Sequence, residues 1–278
     1  MMTRRSLLAS SGALTLSAQD LPKVERKGRL KQGVTRGVFG KGMEFEDMCR
    51  NAARLGVKGF DLIGAKDWPT AKKYGLLPTM CPGAGGIETG LNRKDLHDKF
   101  EADFKNNITA AAEAGAPNVI TLSGTRKGMP DDQGMDNCVA ILKRVAPIAE
   151  DKGITICLEL LNSKVNHPDY MCDHTAWGAE VCKRVGSPRV KLLYDIYHMQ
   201  IMEGDIIRTI RQNIQYIGHF HTAGNPGRHE FDDTQEMNYA GIAKAIVDLG
   251  YTGYFSHEYS PLKDPLKSLD EALRICDV

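Results

Sequence analysis

From residue 30 onward, short apolar, β-branched runs alternate with longer stretches whose apolar positions recur every three or four residues. The first kind of segment reads as buried strand, the second as amphipathic helix. Strands are predicted over residues 30–39, 59–63, 76–80, 118–122, 154–162, 190–195, 217–221 and 253–258. Helices are predicted over 44–55, 68–74, 96–114, 137–152, 175–185, 206–212, 239–249 and 265–275. In the first of these helices Phe45, Met48, Ala52 and Leu55 share one face and Gly56 ends it; Gly115, Gly153 and Gly186 stop later helices in the same way. Gly33 and Gly37 weaken the first strand. Eight strand–helix units in roughly 250 residues, with no Pro/Ser-rich linker, are the count expected of an α/β fold of the (β/α)8 TIM-barrel type. A doubly wound open sheet usually needs fewer units, and no Gly-x-Gly-x-x-Gly fingerprint follows an early strand.

Composition narrows the picture. At 278 residues and 42% apolar, the chain can bury a full core. A net charge of +1 offers no basic field for a phosphate backbone, so nucleic acid is not an expected partner. Seven scattered cysteines without a CxxC pair read as ordinary thiols. Thr3-Arg4-Arg5-Ser6-Leu7-Leu8 leads into the mildly apolar residues 9–18, the pattern of a twin-arginine export signal. Such a signal implies a periplasmic or exported protein; a disordered basic tail in a cytoplasmic protein is the alternative. Residues 1–28 are therefore set apart from a single catalytic domain over 29–278. No other apolar run is long enough to span a bilayer, so no membrane partner is expected.

The fifth predicted strand, Ile154-Thr155-Ile156-Cys157-Leu158-Glu159-Leu160-Leu161-Asn162, carries one carboxylate in an apolar run. A buried charge there costs several kcal/mol unless it is paired or bound to a cation. In a barrel, the C-terminal ends of strands converge on the face that carries active sites. The last four strands end on Glu159, Asp195, His221 and Glu258. Two Glu, one Asp and one His make an oxygen-rich set suited to one Mn²⁺ or Mg²⁺, with Co²⁺ also compatible. His198, three residues past Asp195, and Arg228, a cation on a mobile glycine-rich loop, are the substrate-binding candidates. Strand alternation puts His219 on the same side as His221 but one layer deeper, and turns His257 away from Glu258. His97, His167 and His229 read as solvated, although His167 and Tyr170 lie on the loop after Glu159, where they could shape the pocket; Cys157 reads as barrel packing. The first three strands show no comparable chemistry.

Leu158-Glu159-Leu160-Leu161-Asn162, Asp195-Ile196-Tyr197-His198-Met199-Gln200, His219-Phe220-His221-Thr222-Ala223-Gly224, Gly227-Arg228-His229-Glu230 and His257-Glu258-Tyr259 together resemble the hydroxypyruvate isomerase family. That family lies within the xylose isomerase-like barrels and is related to the ketose 3-epimerases. The resemblance spans about residues 30–276 and implies a divalent metal held by Glu159, Asp195, His221 and Glu258. It also implies that the two glutamates double as acid/base groups, that His198 and Arg228 bind substrate, and that the protein forms a homodimer or homotetramer. His221 stands where hydroxypyruvate isomerases commonly have Gln and the epimerases have His. The segment from Glu159 to Val165 lacks the further glutamate typical of ketose epimerases.

The expected activity is isomerisation or epimerisation of a small hydroxy-carbonyl compound or sugar through an enediolate, with Glu159 and Glu258 moving the proton. A metal-dependent lyase or dehydratase acting on a keto-sugar or its glycoside would use the same proton abstraction. A DNA-repair endonuclease of this barrel group would need a multi-zinc cluster, yet no histidine precedes His97. A non-catalytic sugar-binding protein is the remaining reading.

Overall fold

The computed structural model describes residues 23–278. The proposed twin-arginine pair, Arg4 and Arg5, lies outside them. In chain order the elements are β1 (Lys31–Val34), α1 (Phe45–Arg54), β2 (Gly59–Asp61), α2 (Trp68–Lys73), β3 (Leu77–Ala84), α3 (His97–Glu113), β4 (Asn118–Thr121), α4 (Asp131–Lys152) and β5 (Thr155–Glu159). There follow α5 (Thr175–Val185), β6 (Val190–Asp195), α6 (Ile196–Met202), α7 (Ile206–Asn213), β7 (Ile217–Thr222), α8 (Tyr239–Asp248), β8 (Tyr254–His257) and α9 (Pro265–Ile275). The strands pair in sequence order, β1 closes on β8, and every pair is parallel. This is a (β/α)8 barrel.

Local chemistry accounts for most element ends. Gly153 and Gly186 adopt left-handed backbone at φ 69° and 77° and close α4 and α5, as a glycine after a helix does without a Cβ penalty. Helix α4 begins six residues before the predicted start, because Asp131, Asp132 and Gln133 carry no apolar marker yet place acidic groups at the positive end of the helix dipole. Helix α6 escapes the periodicity because it follows β6 with no loop; the Asp195 side chain caps it by accepting the His198 N–H at 3.2 Å. The first predicted strand divides in two. Only Lys31–Val34 pairs, and Arg36–Phe39 forms a 3₁₀ turn that packs Phe39 on Phe60 with ring centroids 6.0 Å apart.

The main apolar core lies between the strands and the helices, while Met80, Cys157 and Leu193, with Ile120 beside them, form a smaller cluster. Cys157 and Leu193 each precede a strand-end carboxylate by two residues, so alternation puts them inside the barrel as the apolar layer beneath the mouth. Residues 23–28, grouped by sequence with the N-terminal segment, lie against the domain. The Val24 N–H donates to the Arg54 carbonyl at 2.8 Å, and the Lys27 N–H to Asp277 Oδ2 at 2.9 Å. Among the described residues no helix is long and apolar enough to cross a membrane.

Candidate metal centre

Four neighbouring strands deliver the site. Glu159 and Asp195 are the last residues of β5 and β6, His221 is next to last in β7, and Glu258 follows β8 directly. Asp195 and His221 are register partners across β6 and β7. The Glu258 N–H donates to the Thr222 carbonyl at 2.8 Å, which extends the ladder by one residue and holds Glu258 in line. One ligand atom from each of Glu159, Asp195, His221 and Glu258 lies within 4.8 Å of all the others. Glu159, Asp195 and His221 are buried; the Glu258 side chain is 24% exposed, so the cluster opens to the mouth at Glu258.

The imidazole of His221 tests whether a cation suits this cluster. Its Nε2 donates to Asp61 Oδ2 at 3.1 Å, which leaves a lone pair on Nδ1 in the neutral ring. That Nδ1 lies 2.9 Å from Glu258 Oε2 and 3.6 Å from Glu159 Oε1, is shielded from solvent, and has no hydrogen-bond partner. An orphaned acceptor among three carboxylates is costly unless something positive sits between them. The donor set therefore fits a divalent cation.

Electrostatics within the cluster are uneven. Burial raises the Glu159 carboxyl, and Glu258 and Asp195 push the same way against the opposing pull of His221. Burial would also raise Glu258, but His221 and Arg228 outweigh it and hold that group below the usual carboxylate range. For His221, burial favours the neutral ring, yet Glu258, Asp61 and Glu159 hold its pKa well above that of a free imidazole, so in the absence of a cation a proton on Nδ1 supplies the positive charge that the cluster demands.

Arg228 spans the mouth. Its Nη2 donates to Asp195 Oδ2 at 3.0 Å and Glu258 Oε2 at 2.7 Å, its Nε donates to the Glu258 carbonyl at 3.2 Å, and its guanidinium lies 5.1 Å from the Tyr197 ring centre. The loop that carries it is tied down, in contrast to the mobility suggested by its glycines. Gly224 N–H donates to the His229 carbonyl, and Ser260 N–H to the Arg228 carbonyl, each at 2.9 Å. Glu230 accepts from the Leu262 and Lys263 N–H groups at 2.6 and 2.7 Å. Arg228 itself sits at φ 60°, a left-handed backbone that a non-glycine residue adopts only when its surroundings enforce it.

His198 is buried beside this guanidinium. The Asn162 N–H donates to His198 Nδ1 at 3.1 Å and the Asn162 side-chain amide reaches the same atom at 2.6 Å, so Nε2 carries the proton of the neutral ring. Burial, with Arg228 and His167 nearby, holds His198 in that neutral form by lowering its pKa well below normal. Its Nε2 lies against Arg228 Nη1, which brings the imidazole edge and the guanidinium together at the mouth.

Other histidines divide sharply. His219 is buried one layer below His221 and its Nε2 donates to Asp61 Oδ2 at 2.6 Å. His257 faces the other way, bonded to Gln32 Oε1 at 2.9 Å and Thr222 Oγ1 at 2.9 Å. His97, expected in solvent, is buried with its Nε2 2.9 Å from the Leu91 carbonyl, because the chain from β3 to α3 folds back over it. His167 is half-buried, its ring 5.3 Å from that of His198. Asp61 is the residue that strand-by-strand reading missed. It ends an apolar strand as Glu159 does, but β2 is only three residues long and too short to show alternation.

A closed parallel barrel with a carboxylate–imidazole cluster at the C-terminal ends of its strands defines a class of (β/α)8 protein with a candidate metal site at the mouth. The chain belongs to the xylose isomerase-like TIM barrel family, which matches residues 49–277. The 2-oxo-tetronate isomerase of Cupriavidus necator is 34% identical over 169 residues, 58% of this chain and 63% of that protein. The hydroxypyruvate isomerase of Escherichia coli is 31% identical over 166 residues, 58% of this chain and 64% of that one. The chain thus spans less than two thirds of the length of either relative. Among solved structures, a family 2 AP endonuclease from Brucella melitensis superposes with a TM-score of 0.79 at 24% identity, covering 86% of this chain and 96% of the other. A D-psicose 3-epimerase from Clostridium cellulolyticum, solved with D-tagatose, gives 0.71 at 20% identity, covering 89% and 98%. Both superpositions show the shared barrel.

Proposed function

We propose that the protein is a metal-dependent isomerase or epimerase of a small hydroxy-carbonyl compound, of the size of hydroxypyruvate, a 2-oxo-tetronate or a ketose. One observation carries this reading: the unpartnered Nδ1 of His221, held among Glu159, Asp195 and Glu258 with all four ligand atoms within 4.8 Å of one another. The names of the two isomerase relatives point to the same reaction class. Glu159, Asp195, His221 and Glu258 would hold Mn²⁺ or Mg²⁺, with Co²⁺ a third candidate; when bound, such an ion polarises the carbonyl and stabilises charge that develops on its oxygen.

The chain's own residues supply the rest. Glu159 and Glu258, from β5 and the end of β8, flank the mouth and are the acid/base pair. One carboxylate takes the proton from the carbon that bears the hydroxyl, and the C–H electron pair becomes the C=C bond of an enediolate. Delivery of a proton to the former carbonyl carbon, with the hydroxyl proton passing to the other oxygen, completes an isomerisation. Delivery to the opposite face of the original carbon completes an epimerisation. The Nε2–H of His198 and the Arg228 guanidinium donate to substrate oxygens and fix which carbon meets the glutamates. The Tyr197 ring and the tied loop hold Arg228 in place.

Incubation of the Mn²⁺-loaded protein with hydroxypyruvate, free ketoses and keto-glycosides in D₂O, followed by NMR, tests the assignment. Deuterium is expected at the carbon next to the carbonyl for at least one substrate. Exchange at the wild-type rate in both Glu159→Gln and Glu258→Gln would overturn it. Loss of a β-substituent from a keto-glycoside, without isomerised product, would replace it by the lyase reading.

A further inference from the structure

Asp61 is fully buried inside the barrel and is absent from the four-residue cluster, yet its carboxylate is held by two imidazoles from across the lumen and by a hydroxyl of the neighbouring strand. Oδ2 accepts from Nε2 of His219 at 2.6 Å and from Nε2 of His221 at 3.1 Å, and Oδ1 accepts from the Thr79 hydroxyl. Strands β1 and β8 separate β2 from β7 around the barrel, so this contact crosses the interior and does not follow the sheet. The backbone is bent to allow it. The β2–β3 register shifts between Phe60 and Asp61, and the next residue, Leu62, sits at φ 57°. Gly59 clears space on the same strand, since a Cβ there would lie 2.6 Å from Thr79 Cγ2. His219 is locked from its other side, where the Asn118 amide faces Nδ1 at 3.4 Å.

We propose that Asp61 is a positioning residue: by accepting both Nε2–H groups it fixes the ring orientation and tautomer of His221, and so aims the Nδ1 lone pair at the ion site. An imidazole binds a metal through one nitrogen only when the proton resides on the other, and a carboxylate partner both selects that tautomer and makes the free nitrogen a better donor. Without Asp61 the His221 ring has no buried acceptor for Nε2–H, and the tautomer that puts the proton on Nδ1, toward Glu258, becomes available. That proton would occupy the place of the cation. His219 serves as a wedge, holding the Asp61 carboxylate at the height that His221 requires. This inference rests on the cluster being a metal site.

The test is the affinity of the purified full-length protein for Mn²⁺, read as free Mn²⁺ by electron paramagnetic resonance, with thermal unfolding of the metal-free protein as a separate readout. Asp61→Asn keeps the side-chain volume and Asp61→Ala removes the acceptor; Thr79→Val removes the third hydrogen bond without touching either histidine. The expected result is a dissociation constant raised about 10- to 100-fold in Asp61→Asn, more in Asp61→Ala, and unchanged within about threefold in Thr79→Val. A folded Asp61→Asn protein that binds Mn²⁺ as wild type does, however much its melting temperature falls, would overturn the proposal by reducing Asp61 to a structural residue. Two ions per wild-type chain and one in Asp61→Asn would also overturn it, because Asp61 would then be a ligand. A wild-type protein that binds no divalent ion would instead overturn the metal reading itself. If wild type and variants differ in affinity but no substrate exchanges deuterium, the role of Asp61 stands and the isomerase reading falls.

Discussion

The two arcs of the barrel mouth have the same architecture and opposite chemistry. Strands β5 to β8 end on Glu159, Asp195, His221 and Glu258, and the loops beyond add His198 and Arg228. Strands β1 to β4 end on Val34, Asp61, Ala84 and Thr121, and the one ionisable group among them points inward to the histidines of β7. The late arc concentrates charge in a small volume and tethers it with Glu230 and Arg228. The early arc offers a wall whose one cation among the described lining residues is Arg36, with Leu62 39% exposed on a strained backbone beside Arg228 and Glu258. Under the proposed function a division of labour follows: the late arc would perform the chemistry and the early arc would shape what enters.

Substitutions on the two arcs should separate cleanly. The largest effect is expected at the acid/base pair, where Glu159→Gln or Glu258→Gln should lower α-hydrogen exchange by about 10²–10⁴-fold, measured by deuterium incorporation. Arg228→Lys keeps the charge but loses the planar guanidinium that donates to both Asp195 and Glu258. Its kcat/KM should fall by about 10²-fold while Mn²⁺ affinity changes only a few-fold, as steady-state kinetics and metal titration would show. Acidity gives a smaller, graded effect. A cation needs Glu159 deprotonated and His221 neutral at Nδ1, and the cluster raises the pKa of both, so protons compete from a higher pH than at ordinary groups. Mn²⁺ affinity should therefore weaken on acidification, by roughly tenfold per pH unit for each ligand that protonates, beginning with His221 above the usual imidazole range and steepening once Glu159 follows. The smallest effect belongs to the early arc: Leu62→Ala should shift KM and substrate preference by a few-fold with kcat nearly unchanged, since it touches the wall and not the proton path. A tenfold or larger fall in kcat for Leu62→Ala would break the contrast between the arcs.

Reading from sequence succeeded where the signal was local and failed where it depended on a distant neighbour. Helix α5 and strand β6 have the predicted ends because apolar spacing, the stop at Gly186 and the β-branched run all lie within a few residues. Placement of His219 and His221 on one side of β7, and of His257 on the other side of β8 from Glu258, needed only the period-two pleat. Helix α6 was missed because its start signal, the Asp195 cap, is also a strand end and a cluster member. His97 was misread as solvated because nothing near it in the chain announces the Leu91 carbonyl that it meets.

What the sequence determined by itself is therefore a set of strands, the face on which each side chain leaves its strand, and the order in which Glu159, Asp195, His221 and Glu258 arrive. These follow from periodicity and alternation, which are properties of neighbouring residues. Only the closed barrel decided which groups meet. Asp61 and His221 lie 160 residues apart, and nothing short of closing β1 on β8 puts the carboxylate of one strand on the imidazole of a strand across the lumen. The same closure left His221 Nδ1 buried without a partner, the feature that turns four plausible residues into a site with a place for a cation.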